Sequence, residues 1–292
     1  MVLQLIPSIK VHCWGGFGSQ LFALALCNEL KTKFPTRNLI LILHSSGVSK
    51  RVPEIQELLV SVPYKIRDDY RRMDLSTLEI GSFKLRFDLR NYFLNFFKLI
   101  LKTIGLLSSL DQPGNLVTLK PWVISIRGHY SNLPFSSSTF ENILSMLKDK
   151  NSLPFSKSIL LNSLVIQYRL GDLLHLPTKS YIDHKFIVNQ AKYILNKDIV
   201  PTVVILSDTV ESARSLIPKL ALETKYLSLN PISTIFCALE SKHFIGTNSK
   251  LSLWVALFRH FDNKSSYLPR CMSSAFESIC PSSSLITYYE DK

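Results

Sequence analysis

An arginine, a glycine and an aspartate follow directly on an apolar run in the sequence VIQYRLGD, which covers residues 165–172. The run predicts a buried strand, and ligands of open α/β sheets bind outside the carboxyl ends of their strands. Arg169 would therefore place a bidentate, permanently charged donor in the binding crevice. Asp172 and His129 are both candidate general bases, by their location only. The alternative is that Arg169 and Asp172 form a structural ion pair.

Small polar residues follow two further predicted strands. Ser207 and Asp208 come directly after the apolar run TVVIL, and helix capping alone explains both of them. Thr247, Asn248 and Ser249 precede the amphipathic segment KLSLWVALFRHF. A lone cap needs one such residue, so three in a row favour a ligand contact.

Three of the ten glycines, Gly15, Gly16 and Gly18, lie within four positions of the segment WGGFGSQLF. They separate a predicted strand, IKVHC, from a helix predicted to start near Ser19. Glycine permits positive φ and close approach of a ligand, and a helix N-terminus suits an anion. The spacing is not GxGxxG, so a dinucleotide fingerprint is not indicated. A tight turn without a ligand is the alternative.

Strand and helix patterns alternate over the last part of the chain, which predicts a doubly wound parallel sheet. The strand, glycine loop, helix and strand at the start predict a second α/β unit, to which the segment WVISI contributes a further strand. The segment LKDKNSLPFSKS, residues 147–158, is charged and rich in serine, and it is the candidate linker. We therefore expect an N-terminal domain over residues 1–150 and a carboxyl-terminal domain over residues 160–292.

The formal net charge of +12, from 34 basic and 22 acidic residues, predicts an anionic partner. Residues 83–110 mix Lys and Arg with Phe, Leu and Ile at helical spacing. Such a helix either lies on an anionic membrane, with residues 83–102 as the contact, or packs on the core with its basic side chains extended to solvent. The sequence contains no motif of a module that reads a DNA groove or binds single-stranded nucleic acid, so a nucleic-acid partner is not expected.

The five cysteines form no CxxC pair, and the seven histidines show no metal-ligand spacing. No serine or cysteine lies in a nucleophile elbow, so neither metal nor covalent chemistry is indicated. The first residues, MVLQLIPSIK, do not read as a signal peptide, and no apolar run reaches the length of a membrane span. These patterns predict a reduced, cytoplasmic protein, with a peripheral contact on the inner face of the cell membrane as an option.

Taken in order along the chain, these motifs resemble those of the α-1,2-fucosyltransferase family of bacterial surface-polysaccharide enzymes. The family's Gly-Gly-x-Gly-Asn-Gln-x-Phe is similar to GGFGSQLF at residues 15–22, and its His-x-Arg-x-Gly-Asp resembles QYRLGD at residues 167–172. The family's Ser-Asp resembles residues 207–208, and its Ser-Asn-Ser-x-x-Ser-x-Trp resembles TNSKLSLW at residues 247–254. The resemblance spans roughly residues 9–260.

The resemblance implies a GT-B architecture, in which two Rossmann-like domains face a cleft and the carboxyl-terminal one binds GDP-fucose. It implies transfer with inversion through an oxocarbenium-like transition state, with no cofactor and no essential metal. Arg169 and Asp172 would be catalytic, and His129 and Tyr130 would lie on the acceptor side. The implied donor-binding residues are Gly15, Gly16, Gly18, Gln20, Arg169, Ser207, Asp208, Thr247, Asn248 and Ser249.

The implied function is transfer of L-fucose in α-1,2 linkage to a hydroxyl of a surface glycan or a lipid-linked oligosaccharide. The chain carries Ser19, Gln167 and Leu170 where the family carries Asn, His and a second Arg. These departures leave open a galactosyl or other hexosyl donor on the same fold. A further alternative is a non-catalytic basic protein that binds a membrane or nucleic acid.

Overall fold

The computed structural model describes residues 8–44, 54–68, 99–109, 119–128, 130–150, 153–171, 181–281 and 283–291, together with residue 96. The chain divides into two compact units, Met1–Thr139 and Phe140–Lys292. Each unit contains one sheet, and every strand pair in both sheets is parallel.

The first unit holds a five-stranded sheet with the strand order β3-β2-β1-β5-β4. Its strands are β1 (Ile9–Cys13), β2 (Leu39–Leu43), β3 (Lys65–Asp68), β4 (Leu107–Ser109) and β5 (Ser125–Arg127). Helix α1 (Phe17–Lys33) connects β1 to β2, and a 3-10 helix covers Glu54–Ser61. Eleven residues of α1 are buried, because the helix is apolar around most of its circumference.

The second unit holds a six-stranded sheet with the strand order β11-β10-β9-β6-β7-β8. Its strands are β6 (Ser163–Gln167), β7 (Thr202–Leu206), β8 (Glu223–Leu227), β9 (His243–Ile245), β10 (Ser266–Pro269) and β11 (Ile286–Tyr289). Counted from β6, this is the 3-2-1-4-5-6 order of a dinucleotide-binding fold, whose strand order reverses between β6 and β9.

Seven α-helices and a 3-10 helix, Arg270–Met272, accompany these strands among the described residues. The α-helices are α2 (Ser137–Lys148), α3 (Lys157–Leu161), α4 (His184–Lys197), α5 (Val210–Leu216), α6 (Pro231–Glu240), α7 (Lys250–Phe261) and α8 (Ser273–Glu277). The division between the two units falls within α2, between Thr139 and Phe140.

Helices cover both faces of the second sheet. Leu164 and Ile166 of β6 share a buried cluster with α4 and α5. Val165 points to the opposite face, because side chains alternate along a strand, and α6 packs against β6 there. The side chains of β6 and β7 are buried along their whole lengths, which explains why both strands read as continuous apolar runs.

One buried cation ties α7 to the rest of the second unit. The Arg259 guanidinium donates to the carbonyl oxygens of Ala238 and Ser241 at 2.6 and 2.8 Å and to that of Ser265 at 2.8 Å. Burial lowers the pKa of Arg259 to about 10, so the group stays charged at neutral pH. Its donors are matched to backbone acceptors, which makes this arginine structural.

The two parallel sheets confirm the predicted α/β class with two Rossmann-like domains. The domain boundaries 1–150 and 160–292, and the cleft expected between the domains, stay predictions. The predicted linker, residues 147–158, lies inside the second unit, where it includes the end of α2 and the start of α3.

Two predicted elements have different bounds in the structure. The helical pattern of residues 83–110 ends early, because residues 107–109 form β4 and pair with β5. The strand predicted from Trp122 begins at Ser125, and the Trp122 side chain is 52% exposed. Most of residues 83–102 lie outside the described residues, as do His129 and Asp172.

Candidate functional site

The second sheet brings three of the predicted motifs to one edge. Residues 168–171 follow β6, residues 207–208 follow β7, and residues 246–249 follow β9. These strands are neighbours and parallel, so all three segments leave the sheet at its carboxyl edge, beside the reversal of strand order. We call these three segments the carboxyl-edge site.

Thr247 joins the segment after β9 to the segment after β6. Its hydroxyl donates to the carbonyl oxygen of Gln167 at 3.0 Å and accepts the backbone N–H of Arg169 at 3.2 Å. Only 1% of Thr247 is exposed, so this hydroxyl lies in the interior. The contact fixes the backbone on the amino-terminal side of Arg169.

Asp208 joins the segment after β7 to the same loop. Its Oδ1 accepts the backbone N–H groups of Leu170 and Gly171, both at 3.0 Å. A Cβ on Gly171 would lie 2.2 Å from Oδ2 of Asp208, so this close approach requires glycine. The backbone is therefore fixed on both sides of the half-buried Arg169.

The start of α7 is held by the side chain of Gln167. Ser249 is the N-cap residue and accepts the N–H of Ser252 at 3.0 Å. Its hydroxyl donates to Oε1 of Gln167 at 3.0 Å, and the hydroxyl of Ser252 donates to the same oxygen. Gln167, where the resembled family carries His, thus supports the helix cap in this chain.

The predicted donor-binding residues of this unit fall into two groups. Thr247, Ser249 and Ser207 are buried, and their hydroxyls are bonded within the loops; that of Ser207 accepts the N–H of Thr209 at 3.2 Å. Asp208 and Asn248 are exposed. The buried hydroxyls position the backbone, and the exposed side chains lie with Arg169 on the accessible part of the site.

Tyr168 is a further buried group of the loop after β6. Its hydroxyl donates to the carbonyl oxygen of Ile182 at 3.2 Å. Burial raises the pKa of this hydroxyl above its ordinary value, with smaller contributions from the nearby Asp183 and Tyr181. Tyr168 therefore stays neutral and anchors the loop to the start of α4.

The glycine loop of the first unit follows β1. Gly15 has φ of +86°, a conformation that favours glycine, whereas a Cβ on Gly16 would meet nothing within 4 Å. Helix α1 begins at Phe17, so Gly18 lies in its first turn and the predicted start near Ser19 was late. The backbone at Gly16 is exposed and open to a ligand.

Gln20 stabilises this loop from inside the protein. Its Nε2 donates to the carbonyl oxygen of Gly15 at 2.8 Å, and its Oε1 accepts the N–H of Ile55 at 2.9 Å. Only 2% of Gln20 is exposed. These contacts make Gln20 a positioning residue for the loop, and a direct contact of its side chain with a donor stays a prediction.

The structure gives Tyr130 an interior position, although the resemblance places it on the acceptor side. Its hydroxyl donates to the carbonyl oxygens of His12 and Ile126, at 2.7 and 3.1 Å, and 1% of the residue is exposed. Tyr130 also has φ of +59°, which is uncommon for a residue with a side chain. It fixes the carboxyl end of β1 against β5.

The sequence interpretation missed two features at this edge of the first sheet. His12 Nδ1 and His44 Nε2 are 2.8 Å apart, and Ser125 Oγ lies 3.2 Å from His12 Nε2. Arg127 ends β5 half-buried, and burial lowers the pKa of its guanidinium. The sequence could have indicated both features. His12, His44, Ser125 and Arg127 each lie at the carboxyl end of a predicted strand or within a few residues of it.

Among the described residues, no cluster of three or more His, Cys, Asp or Glu side chains could hold a metal ion. Within the same residues, no helix combines the length and the apolar composition that crossing a membrane requires.

Comparisons with protein families and with curated proteins give no match. Among solved structures, the chain is similar to the fucosyltransferase NodZ from Bradyrhizobium, at 10% identity over 86% of this chain and 92% of that chain, with a TM-score of 0.44. It is similar to a glycosyl transferase family 9 protein from Veillonella parvula, at 9% identity over 90% and 81% of the two chains, with a TM-score of 0.45. A putative UDP-N-acetylglucosamine 2-epimerase from Listeria monocytogenes matches at 10% identity over 98% and 85%, with a TM-score of 0.46.

Proposed function

We propose that the protein is a glycosyltransferase that binds a nucleotide-sugar donor at the carboxyl-edge site, with GDP-fucose as the donor. The observation that carries the proposal is the fixed backbone of Arg169 beside the reversal of strand order. Thr247 bonds it on one side and Asp208 on the other. An arginine held in this way presents a preorganised cation to a diphosphate.

The chemistry assigned to this site is stabilisation of the leaving group. When the bond from the sugar to the diphosphate breaks, negative charge develops on the nucleoside diphosphate. The Arg169 guanidinium can neutralise this charge, and the positive end of the dipole of α7, a helix of 12 residues, acts in the same direction. No cofactor or metal is required by this proposal.

Support for fucose as the transferred sugar comes from the resemblance of four motifs to the α-1,2-fucosyltransferase family. The acceptor would be a hydroxyl of a surface glycan or a lipid-linked oligosaccharide, and the product an α-1,2 linkage formed with inversion. Gln167 bonds the start of α7, so this part of the signature serves the loop structure. This observation keeps a galactosyl or other hexosyl donor as the second candidate.

Transfer also requires a base that removes the proton of the acceptor hydroxyl. Asp172 and His129 were predicted near the site from the sequence, and both lie outside the described residues. Their roles stay predictions, and each is tested by the same assay as Arg169.

The experiment incubates the protein separately with GDP-fucose, GDP-mannose and UDP-galactose in the presence of oligosaccharide acceptors, and detects products by mass spectrometry. We expect a product one deoxyhexose heavier with GDP-fucose, and none with Arg169→Ala. Arg214→Ala is the matched control, since Arg214 is an exposed arginine of the same unit that pairs with Glu211. A product formed only with another donor would overturn the assignment of fucose as the transferred sugar. If no donor gives a product, the proposed transferase activity is overturned.

A further inference from the structure

Part of the surface of the first unit consists of large apolar side chains that are open to solvent. Residues 96 and 99–103 are helical, and a turn at residues 104–105 follows them before β4. The exposed fractions are 57% for Phe96, 48% for Leu99, 40% for Ile100, 48% for Ile104 and 52% for Trp122. Several such side chains in one place are typical of an interaction surface.

The helical part of this surface carries its apolar stripe on the outside. Phe96, Leu99 and Ile100 are spaced i, i+3 and i+4, so they share one face. Thr103, at i+7, continues the same face and is also exposed. In an ordinary surface helix the apolar stripe faces the core and the polar residues point outward. The outward apolar stripe therefore indicates a partner outside the core.

The polar groups beside these side chains are bonded within the chain. Nε1 of Trp122 donates to the carbonyl oxygen of Ile104 at 2.7 Å. The hydroxyl of Thr103 donates to the carbonyl oxygen of Leu99 at 2.9 Å. Moving an unbonded donor from water into an apolar medium is costly, and a hydrogen bond within the chain removes most of that cost. The indole ring and the threonine can therefore enter an apolar medium with their donors satisfied.

The helical residues and the segment before β5 form one continuous surface. A Cβ on Gly105 would lie 2.8 Å from Cγ of Lys120 and 3.5 Å from Nε1 of Trp122, so both side chains lie against the backbone of Gly105. The N–H of Ile124 donates to the carbonyl oxygen of Leu106 at 2.9 Å, which joins the two segments behind this contact. We use the name apolar-basic surface for Phe96, Leu99, Ile100, Lys102, Ile104, Lys120 and Trp122.

The charges on the apolar-basic surface are positive. Lys120 is exposed, and Lys102 is partly exposed. Residues 96–109 and 119–128 include no aspartate or glutamate, and the chain as a whole has a net charge of +12. Lysines beside tryptophan, phenylalanine and leucine are typical of segments that lie in the interface of an anionic membrane. The charge of this surface is thus complementary to that of anionic headgroups.

A second copy of the chain fits this surface less well. A twofold interface brings the same patch of both partners together. Lys102 and Lys120 would then lie close to the lysines of the other copy, with no carboxylate from residues 96–109 or 119–128 between them. Like charges in an apolar contact repel each other strongly, because the local dielectric constant is low.

From the outward stripe, the bonded indole and the positive charge, we propose that the apolar-basic surface binds to an anionic lipid bilayer. The apolar side chains enter the boundary between headgroups and acyl chains, and the two lysines contact lipid phosphates. The proposal extends the membrane contact expected from residues 83–102 to Ile104, Lys120 and Trp122. It goes beyond the proposed transferase activity and does not require it.

The test is flotation of the full chain with vesicles of phosphatidylcholine alone, or of phosphatidylcholine with about one third phosphatidylglycerol. We expect binding to the anionic vesicles that weakens strongly between about 0.1 M and about 1 M salt, and much weaker binding to the neutral vesicles. Leu99→Gln/Ile100→Gln, which keeps good helix formers, should weaken binding at least about tenfold, equivalent to about 1.4 kcal/mol. Lys120→Gln should weaken it about fivefold, equivalent to about 1 kcal/mol.

Each variant has a matched control in the second unit. Ile199→Gln/Leu222→Gln replaces two apolar residues that are 91% and 86% exposed. Lys192→Gln removes an exposed lysine of α4. Both controls should bind anionic vesicles as the wild type does. Circular dichroism of all variants establishes that differences in binding do not come from unfolding.

Arg169→Ala separates this inference from the proposed function, because it should abolish sugar transfer and leave vesicle binding unchanged. The membrane proposal is overturned if the wild type does not float with the anionic vesicles. It is equally overturned if Leu99→Gln/Ile100→Gln floats as well as the wild type, or if the controls lose as much binding as their partners. A dimer in light scattering that this double variant abolishes, without vesicle binding by the wild type, would assign the surface to a second copy instead.

Discussion

Oδ1 of Asp208 accepts the backbone N–H of Gly171 at 3.0 Å, across two neighbouring parallel strands. The same oxygen accepts the N–H of Leu170. This carboxylate thereby fixes the loop that carries Arg169, although no sequence pattern distinguishes it from an ordinary helix cap. The arrangement links local stability to the carboxyl-edge site.

Asp208→Ala should destabilise the protein and weaken nucleotide binding together. Loss of this acceptor removes two hydrogen bonds, one from the part-buried N–H of Leu170 and one from the exposed N–H of Gly171, and we expect the free energy of unfolding to fall by about 1 kcal/mol. Asp208→Asn retains an acceptor oxygen, so its free energy of unfolding should fall by less. Urea denaturation measures the stability change, and equal stability of wild type and Asp208→Ala would contradict the assigned role.

Gly171→Ala should act through the same contact. The added Cβ displaces the Asp208 carboxylate, so the variant loses the same hydrogen bonds to the loop as Asp208→Ala. In a double-mutant cycle the two changes should be clearly less than additive. Strict additivity would mean that Gly171 and Asp208 act independently.

Gly15→Ala and Gly16→Ala form a matched pair in the first unit. Because Gly15 has φ of +86°, its replacement should cost about 1–3 kcal/mol. The Cβ added at Gly16 meets nothing within 4 Å, so the melting temperature of that variant should lie within a degree or two of that of the wild type. This corresponds to a change of roughly 0.5 kcal/mol or less in the free energy of unfolding. Differential scanning fluorimetry compares them, and equal losses would refute the assignment of strain to Gly15.

Gln167→Leu should destabilise the start of α7. The hydroxyls of Ser249 and Ser252 lose a shared acceptor, and both serines are buried, so we expect a loss of about 2 kcal/mol or more. Gln167→Glu keeps an acceptor beside a helix N-terminus and serves as the control. Stability that is the same in wild type and Gln167→Leu would show that the cap does not depend on this carboxamide.

Acidification should destabilise the protein in part through His260. Burial lowers the pKa of His260 below its ordinary value of 6.5, so the unfolded chain binds the proton more readily. The stability from the neutral ring is present above pH 6.5 and is lost as the pH falls through the folded-state pKa. The melting temperature should fall more between pH 7.5 and pH 5 for the wild type than for His260→Gln. If the melting temperatures of the two proteins fall in parallel, protonation of His260 does not contribute to the acid destabilisation.

The sequence predicted the elements whose patterns are local and strong. The prediction for α7 matched its bounds, Lys250–Phe261, because Ser249 caps the helix and its apolar residues repeat at helical spacing. Strands β6 and β7 were found because both are buried on two faces and read as unbroken apolar runs.

What the sequence could not supply were contacts between distant residues. Thr247 and Gln167 are 80 positions apart, and nothing local shows that the threonine hydroxyl faces into the protein. The edge strand β11 was missed because Thr287 is exposed and Tyr288 only partly buried, which weakens the strand pattern.

The central claim is that a nucleotide-sugar donor binds at the carboxyl-edge site through Arg169. Isothermal titration of GDP-fucose and GDP into the wild type and Arg169→Ala tests it most directly. We expect saturable binding to the wild type and an affinity at least about tenfold weaker in the variant, which is a loss of about 1.4 kcal/mol of binding free energy. Equal affinity for both proteins, or no binding of either ligand to the wild type, would contradict it.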